Sequence, residues 1–408
     1  MSGIVSGRGA PIWPAHTIEA RDWRQSIRGG SREDRMLRSV AASIPPRIAH
    51  LSHVPSPAVT AAAERALVEV ATTDAEARAQ SRALGRFMLR TESVASSKIE
   101  RISASASDYA RALAGSRANT SATSMVAASA ALHRLVDRAG ETGRITLDDL
   151  LAAHRTLMAE DAGEAAWAGR LRDMQNWIGG SDHSPRNALY VPPPPDLVAP
   201  LLDDLLAFAG RDDVPVFVQA AITHAQFESI HPFTDGNGRI GRALVSAILR
   251  RRDVTKTAIM PLASGLLAVR DDYFASLTAY REGDPTAVIE IMVRAAVAAA
   301  VESRSSIDAL RELPAEWRSL AEATPGSATD RLIGALLDDP VMSGEDAVAA
   351  IGSTPATAYA ALDRLTEAGV VTEITGRKRD RVWAANDVIG ELDDLDGRIQ
   401  RRMLETPG

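Results

Sequence analysis

The stretch His231-Pro232-Phe233-Thr234-Asp235-Gly236-Asn237-Gly238-Arg239-Ile240-Gly241-Arg242 constrains this chain more than any other. Upstream, Val218, Ala221, Ile222, Ala225 and Ile230 recur at helical spacing, so a helix leads into His231. Pro232 cannot continue that helix, and it biases His231 toward an extended backbone. Phe233 is the expected core anchor of the loop. A second helix starts around Gly236–Gly238 and runs through Arg239, Leu244, Ile248 and Arg251. The surrounding fold must therefore bury two helices that meet at a short, glycine-rich turn.

That turn carries chemistry as well as shape. The first turn of the second helix offers unpaired backbone N–H groups at the positive end of the helix dipole. Gly236 and Gly238 let a phosphate approach them, and Asn237 adds a side-chain donor. Arg239 and Arg242 are three residues apart, so they share a side of the helix and reach successive phosphates with forked hydrogen bonds. Asp235 is placed to hold a hard divalent cation bridging those phosphates, and Mg²⁺ fits one carboxylate plus phosphate oxygens. His231 is the general base of the set. Singly, each feature is more often a structural histidine, a turn or a solvated helix face. In this order, on a helix N-terminus, they point to a metal-bound polyphosphate beside a base.

The rest of the sequence sets the frame. The 408 residues allow two or three domains, with 45% hydrophobic and 24% charged residues, the balance of a soluble globular protein. A net charge of −7 gives no basic footprint for nucleic acid. With no cysteine, disulfides and thiolate metal sites are excluded. No apolar run is long enough to span a membrane, and no secretory leader is evident at the start, so a cytoplasmic location is expected. Residues 1 to about 50 read as an extended or partly ordered arm. Helical periodicity covers 56–116, 121–139, 146–158, 195–209 and most of 215–313. Thr146-Leu147-Asp148-Asp149 is a good helix start. Between them, turn-formers in 169–195 flank short apolar runs, predicting a hairpin of 174–178 with 188–191. After a Pro/Gly-rich boundary at 314–328, three short helices (329–337, 344–351, 355–368) precede a strand, turn and strand (370–384). That order is the winged helix-turn-helix arrangement. The domains expected are 1–120, an N-terminal arm and helical region, 121–313, the catalytic core, and 329–408, the winged helix.

The twelve residues resemble the signature of the Fic family, His-Pro-Phe-x-Asp/Glu-Gly-Asn-Gly-Arg-x-x-Arg, at every fixed position. The resemblance implies a mainly α fold, a helical core bearing a β-hairpin flap, and transfer of AMP from ATP to a Ser, Thr or Tyr hydroxyl of a target protein or of the chain itself. It makes His231 the base, Asp235 the Mg²⁺ ligand, and Gly236, Asn237 and Gly238 the anion hole. Arg239 and Arg242 would hold the outer phosphates. The flap, including Tyr190 and Val191, would pair with an extended target segment. Tyr273, in Asp272-Tyr273-Phe274, would line the adenine pocket, with a core role as the alternative. A branch that transfers phosphate carries lysine where this chain has Gly238, which argues against kinase activity.

Ser96-Ser97-Lys98-Ile99-Glu100-Arg101 resembles the family's inhibitory motif, Ser/Thr-x-x-x-Glu-Gly/Asn. By that resemblance Ser96 and Glu100 share a helix face, and Glu100 pairs with Arg242 and denies it to the γ-phosphate. Arg101 departs from the motif, where it could alter the turn or compete for Glu100. The C-terminal module has nine Lys/Arg against fifteen Asp/Glu from Gly326 onward. DNA is accordingly the second choice of partner there, after protein docking or a homodimer. The competing reading is a DNA-binding regulator with the core as nucleotide sensor, and within the enzyme class removal of AMP stays open.

Overall fold

The computed structural model describes residues 13–25, 28–80, 82–376 and 381–405. Its first element is not the expected extended arm. Strands β1 (Thr17–Asp22) and β2 (Ser39–Ile44) form an antiparallel hairpin, with Thr17 opposite Ile44, and helix α1 (Arg32–Met36) lies between them. Ser31 caps α1 with a capping box to Asp34. The arm was hard to read because its anchors are distant. Trp23 stands edge-on against Trp177, with ring centroids 5.5 Å apart. The Ser184 hydroxyl donates to Asp34 at 2.6 Å, and the Ser43 N–H donates to the Val191 carbonyl at 2.9 Å.

Helices α2 (Pro57–Gln80), α3 (Arg82–Ile99), α4 (Ala106–Leu113), α5 (Thr120–Thr142) and α6 (Leu147–Met158) follow, then α7 (Pro195–Ala209), α8 (Val216–Ile230) and α9 (Asn237–Arg251). Thr146 caps α6 through the expected box with Asp149. Helix α8 is buried all round, as its near-continuous apolar sequence requires. Its two glutamines find partners: Gln219 donates to the carbonyls of Phe208 and Arg211, and Gln226 to that of Pro46. Helix α9 is buried from Asn237 through Arg250, so the two helices that flank the glycine-rich turn are the centre of the core. Among the described residues, no helix is long and apolar enough to cross a membrane.

Beyond them come α10 (Leu262–Ala268), α11 (Arg270–Arg281) and α12 (Thr286–Leu320). The boundary expected from residue 314 moves, because α12 runs through Pro314. The C-terminal part has α13 (Ala328–Asp338), β3 (Val341–Ser343), α14 (Gly344–Ile351), α15 (Pro355–Glu367), β4 (Val371–Glu373) and β5 (Val382–Ala385). These helices and the β4–β5 pair lie within one to three residues of the positions read from sequence. The extra strand β3 completes an antiparallel sheet in the order β3-β5-β4. The turn expected between β4 and β5 has the sequence Gly376-Arg377-Lys378-Arg379-Asp380-Arg381, a basic tip that falls largely on 377–380, outside the described residues. A final helix, α16 (Asn386–Glu405), was not anticipated, although Val388, Leu395, Ile399 and Met403 mark its buried stripe. It packs back on α12, α10 and α3, so the C-terminal part is fastened to the core.

The hairpin expected at 169–195 contracts to one antiparallel bridge, Ile178 with Tyr190. Its turn is held by Ser181 N–H donating to the Arg186 carbonyl at 3.2 Å. Four consecutive prolines, 192–195, leave no N–H donors to lengthen the ladder.

Candidate active site

Helix α8 delivers His231 as its C-cap, with φ 50° and ψ 61°, and the His231 N–H closes on the Phe227 carbonyl at 2.9 Å. This left-handed backbone replaces the extended one that Pro232 was expected to impose, because closing the helix end outweighs the local preference. Arg172 then clamps the turn. Its Nε donates to the His231 carbonyl at 2.8 Å, its Nη1 to that of Met174 at 3.0 Å, and its Nη2 to those of Pro193 and Ile230. One buried guanidinium thus ties the histidine to the base of the flap. The sequence offers no signal that separates Arg172 from Arg170, two residues before it.

His231 is neutral. Withdrawal from water, together with the charges of Arg172 and Arg281, lowers its pKa to about 4, and the Glu100 carboxylate only partly opposes this. Its Nδ1 is buried without a hydrogen-bond partner among the described residues.

Phe233 is fully buried, and the His154 ring stacks on it at 3.8 Å between centroids. His154 accepts from the Gly169 N–H through Nδ1 at 3.0 Å, so its Nε2 carries the proton and donates to the Asp235 carbonyl at 3.1 Å. Burial lowers its pKa to about 4, which keeps that tautomer. Asn237 closes the turn in a different way from the one expected. Its Oδ1 accepts from Phe233 N–H at 2.8 Å and its Nδ2 donates to the Phe233 carbonyl at 2.9 Å. Both ends of the amide are committed to the loop, so the donors that the first turn of α9 can offer are backbone N–H groups. Gly236, at φ 75°, is the N-cap, and a Cβ there would meet Leu157 at 2.8 Å. Asp235 remains at the surface, its Oδ1 accepting from Gly236 N–H and its Oδ2 3.6 Å from Arg239.

The two arginines splay to different neighbours. Arg239 Nη1 donates to Ser124 on α5 at 2.8 Å. Arg242 reaches α3: its Nε donates to the Ser96 hydroxyl at 2.8 Å, and its Nη2 to the Ser96 carbonyl at 2.9 Å and Oε1 of Glu100 at 2.8 Å. The Arg242 side chain is 3% exposed and that of Glu100 31%. A Cβ on Gly238 would collide with Oε1 of Glu100, so this carboxylate rests against the first turn of α9. Burial works to raise the Glu100 pKa, but Arg242, with Arg239 beyond, holds it below the ordinary value. Ser96 and Glu100 were expected on one helix face; α3 ends at Ile99, and Glu100 lies in the closing turn. Arg101 takes a left-handed backbone there, with φ 63°. This gives the motif's usual glycine or asparagine a backbone cause, and the exposed Arg101 side chain makes no ion pair with Glu100 among the described contacts.

Three expected site residues, Tyr273, Tyr190 and Val191, are held by the protein itself. Tyr273 is fully buried, its hydroxyl 2.8 Å from Nε2 of His224, which is the core role that stood as the alternative to the adenine pocket. Tyr190 is also buried, its hydroxyl donating to the Ser229 carbonyl at 2.7 Å beneath Arg281, and the Val191 carbonyl is taken by Ser43 of β2. The flap edge expected for a target is covered there by the chain's own hairpin, and Leu189, 85% exposed, is the more exposed of the flap's large apolar side chains, with Met174 at 36%.

With this geometry in view, the similarities are informative. The Fic/DOC family pattern matches residues 144–249, which span α6 through most of α9. The chain is 30% identical over 147 residues to the protein adenylyltransferase fic-1 of Caenorhabditis elegans, covering 35% of this chain and 26% of that one. It is 32% identical over 152 residues to the protein adenylyltransferase Fic of Nematostella vectensis, covering 37% and 32%. The match thus spans about a quarter to a third of these relatives' length. A crystal structure of a Fic family protein from Desulfovibrio desulfuricans G20 shares the fold over 82% of this chain and 97% of its own, with a TM-score of 0.54 and 24% identity. Residues 144–249 thus carry the Fic/DOC family pattern, and the fold around them is shared with a Fic family protein of known structure.

Proposed function

We propose that the chain transfers the adenylyl group of ATP to a protein hydroxyl and that Glu100 restrains this activity by occupying Arg242. The observation that carries the reading is one constellation: a neutral histidine, an open helix N-terminus and a buried arginine whose guanidinium is held by an acidic side chain. The named activity of the relatives supports it. In the reaction the target hydroxyl oxygen bonds to the α-phosphorus, and the bond from that phosphorus to the α–β bridging oxygen breaks. Pyrophosphate leaves, and the hydroxyl proton passes to His231. Backbone N–H groups at the start of α9 stabilise the charge that develops, and Arg239 and Arg242 orient the departing phosphates.

Asp235 is the residue that would hold Mg²⁺. Among the described residues, no three His, Cys, Asp or Glu side chains converge. A single surface carboxylate suits an ion carried mainly by phosphates and water, so the residues fit. When bound, Mg²⁺ neutralises charge on the phosphates that separate. Glu100, against Gly238 and on Arg242, competes with the outer phosphate for both, and it leaves ATP misaligned for in-line attack.

The test uses ATP labelled on the α- or the γ-phosphate, with the Glu100→Gly variant and cell lysate. Label is expected to enter protein from the α-position only. Transfer from the γ-position would overturn the reading.

A further inference from the structure

We propose that the C-terminal part of the chain positions Glu100: Asp396 and Asp339 grip the helix that carries the inhibitory turn, and their docking sets how firmly Arg242 is occupied. This rests on the inhibitory reading above. Helix α3 has two sides. One presents Ser96, and at its end Glu100, to Arg242. The other faces the C-terminal elements. Lys98, between Ser96 and Glu100 in sequence, donates to Oδ2 of Asp396 on α16 at 3.0 Å; the two side chains are 28% and 9% exposed. Near the other end of α3, Arg86 Nη1 lies 3.0 and 3.1 Å from the two oxygens of Asp339, which follows α13, and Arg90 is 3.7 Å from it. The chain after Glu100 is tied as well, since Arg111 on α4 donates to the carbonyl of Ile374 beside β4 at 3.0 Å.

This interface differs from the fused core around α8 and α9. A cavity of about 190 Å³ separates α3, α4 and α5 from α16, lined by Val94, Tyr109, Met125 and Leu392 with Lys98 and Asp396. The second carboxylate oxygen of Asp396 is buried without a partner among the described residues. The apolar stripe of α16 holds it to the core, but where α16 meets the end of α3 the contact is a charged pair beside this cavity, and such a contact shifts more readily than a close-packed one. Any shift of Lys98 moves the end of α3, because Glu100 N–H and Arg101 N–H close on the carbonyls of Ser97 and Lys98 at 3.0 and 2.9 Å. A partner of the C-terminal part that draws α16 away would thus act as an activator, without touching the catalytic residues.

The experiment measures AMP incorporation by the full chain for Asp396→Asn, Lys98→Gln and the Asp339→Asn/Asp396→Asn pair, each with and without Glu100→Gly. Asp396 and Lys98 approach one contact from opposite sides, so damage to folding by one substitution does not decide the result, and such damage lowers rather than raises the rate. The expected result is a rise of about fivefold, the size of a lost, partly exposed ion pair, that disappears in the Glu100→Gly background. No rise in these variants while Glu100→Gly is activated would overturn the positioning role and leave the inhibitory reading standing. A rise that persists in the Glu100→Gly background would overturn it too. No activation by Glu100→Gly itself would remove the inhibitory reading, and this inference with it.

Discussion

Replacing Glu100 by glycine removes the carboxylate that competes for Arg242 and leaves the surroundings nearly intact. Glu100 already lies beyond the last residue of α3, so glycine there does not interrupt a helix. Arg242 keeps its two bonds to Ser96, at 2.8 and 2.9 Å, and stays close to its present position. The bond lost is the 2.8 Å contact from Nη2 to Oε1. A hydrogen bond between charged groups contributes about 1.5–3 kcal/mol. The 31% exposure of the glutamate reduces this by solvent screening, to about 1–2 kcal/mol. If ATP must displace that contact before it can bind in line, the specificity constant for ATP rises about 5- to 30-fold. The assay is the initial rate of labelled AMP incorporation at subsaturating ATP. Glu100→Gln, which retains an acceptor but no charge, is expected to fall between wild type and glycine. Equal rates for all three proteins would refute the competition.

Other residues give independent outcomes. Glu228 is buried, and its pKa is pushed up to about 7 from 4.5, chiefly by loss of water, so its contribution to stability is full below the unfolded value and is lost as pH rises through about 7. The melting-temperature advantage of Glu228→Gln over wild type should therefore grow between pH about 4.5 and about 7 and then level off, whereas a constant difference would remove the assignment. Tyr273→Phe removes the bond to His224; it should cost about 1 kcal/mol and leave the ATP KM within about twofold. A tenfold rise in that KM would mean that the hydroxyl touches the nucleotide. Arg172→Met strips donors from the carbonyls of His231, Met174 and Ile230 and should cost about 2–4 kcal/mol in urea melts. Its kcat should fall more than about tenfold as the histidine loosens, and a normal kcat would deny it a positioning role.

What could be read from the sequence followed the range of the forces involved. The helices α6, α7, α14 and α15 declare themselves by local caps and apolar spacing, and the glycine-rich turn fixes its own neighbours. Features set at long range were hidden. The β1–β2 hairpin depends on Trp177, Ser184 and Val191, more than a hundred residues away. Arg172 and His154 act through backbone carbonyls and N–H groups, which leave no trace in residue type. Tyr273 stands next to the half-exposed Phe274, and spacing alone could not tell which of the two faces the core. Asn237 was expected to add a side-chain donor for the phosphate, but its amide is bonded to the loop. Helix α16 was legible in principle, through the stripe from Val388 to Met403.

The central claim is that His231 accepts the proton of an attacking hydroxyl, and the most direct measurement is AMP incorporation by Glu100→Gly with and without His231→Ala. Removing the base should lower incorporation by about 10²- to 10⁴-fold, while ATP binding, measured separately, should change little. The acid limb of the rate for the Glu100→Gly variant should lie well below the ordinary histidine value of 6.5, and no higher than the His231 pKa of about 4, because the carboxylate that partly opposes the lowering is gone. Incorporation that is the same with alanine at position 231 would contradict the account.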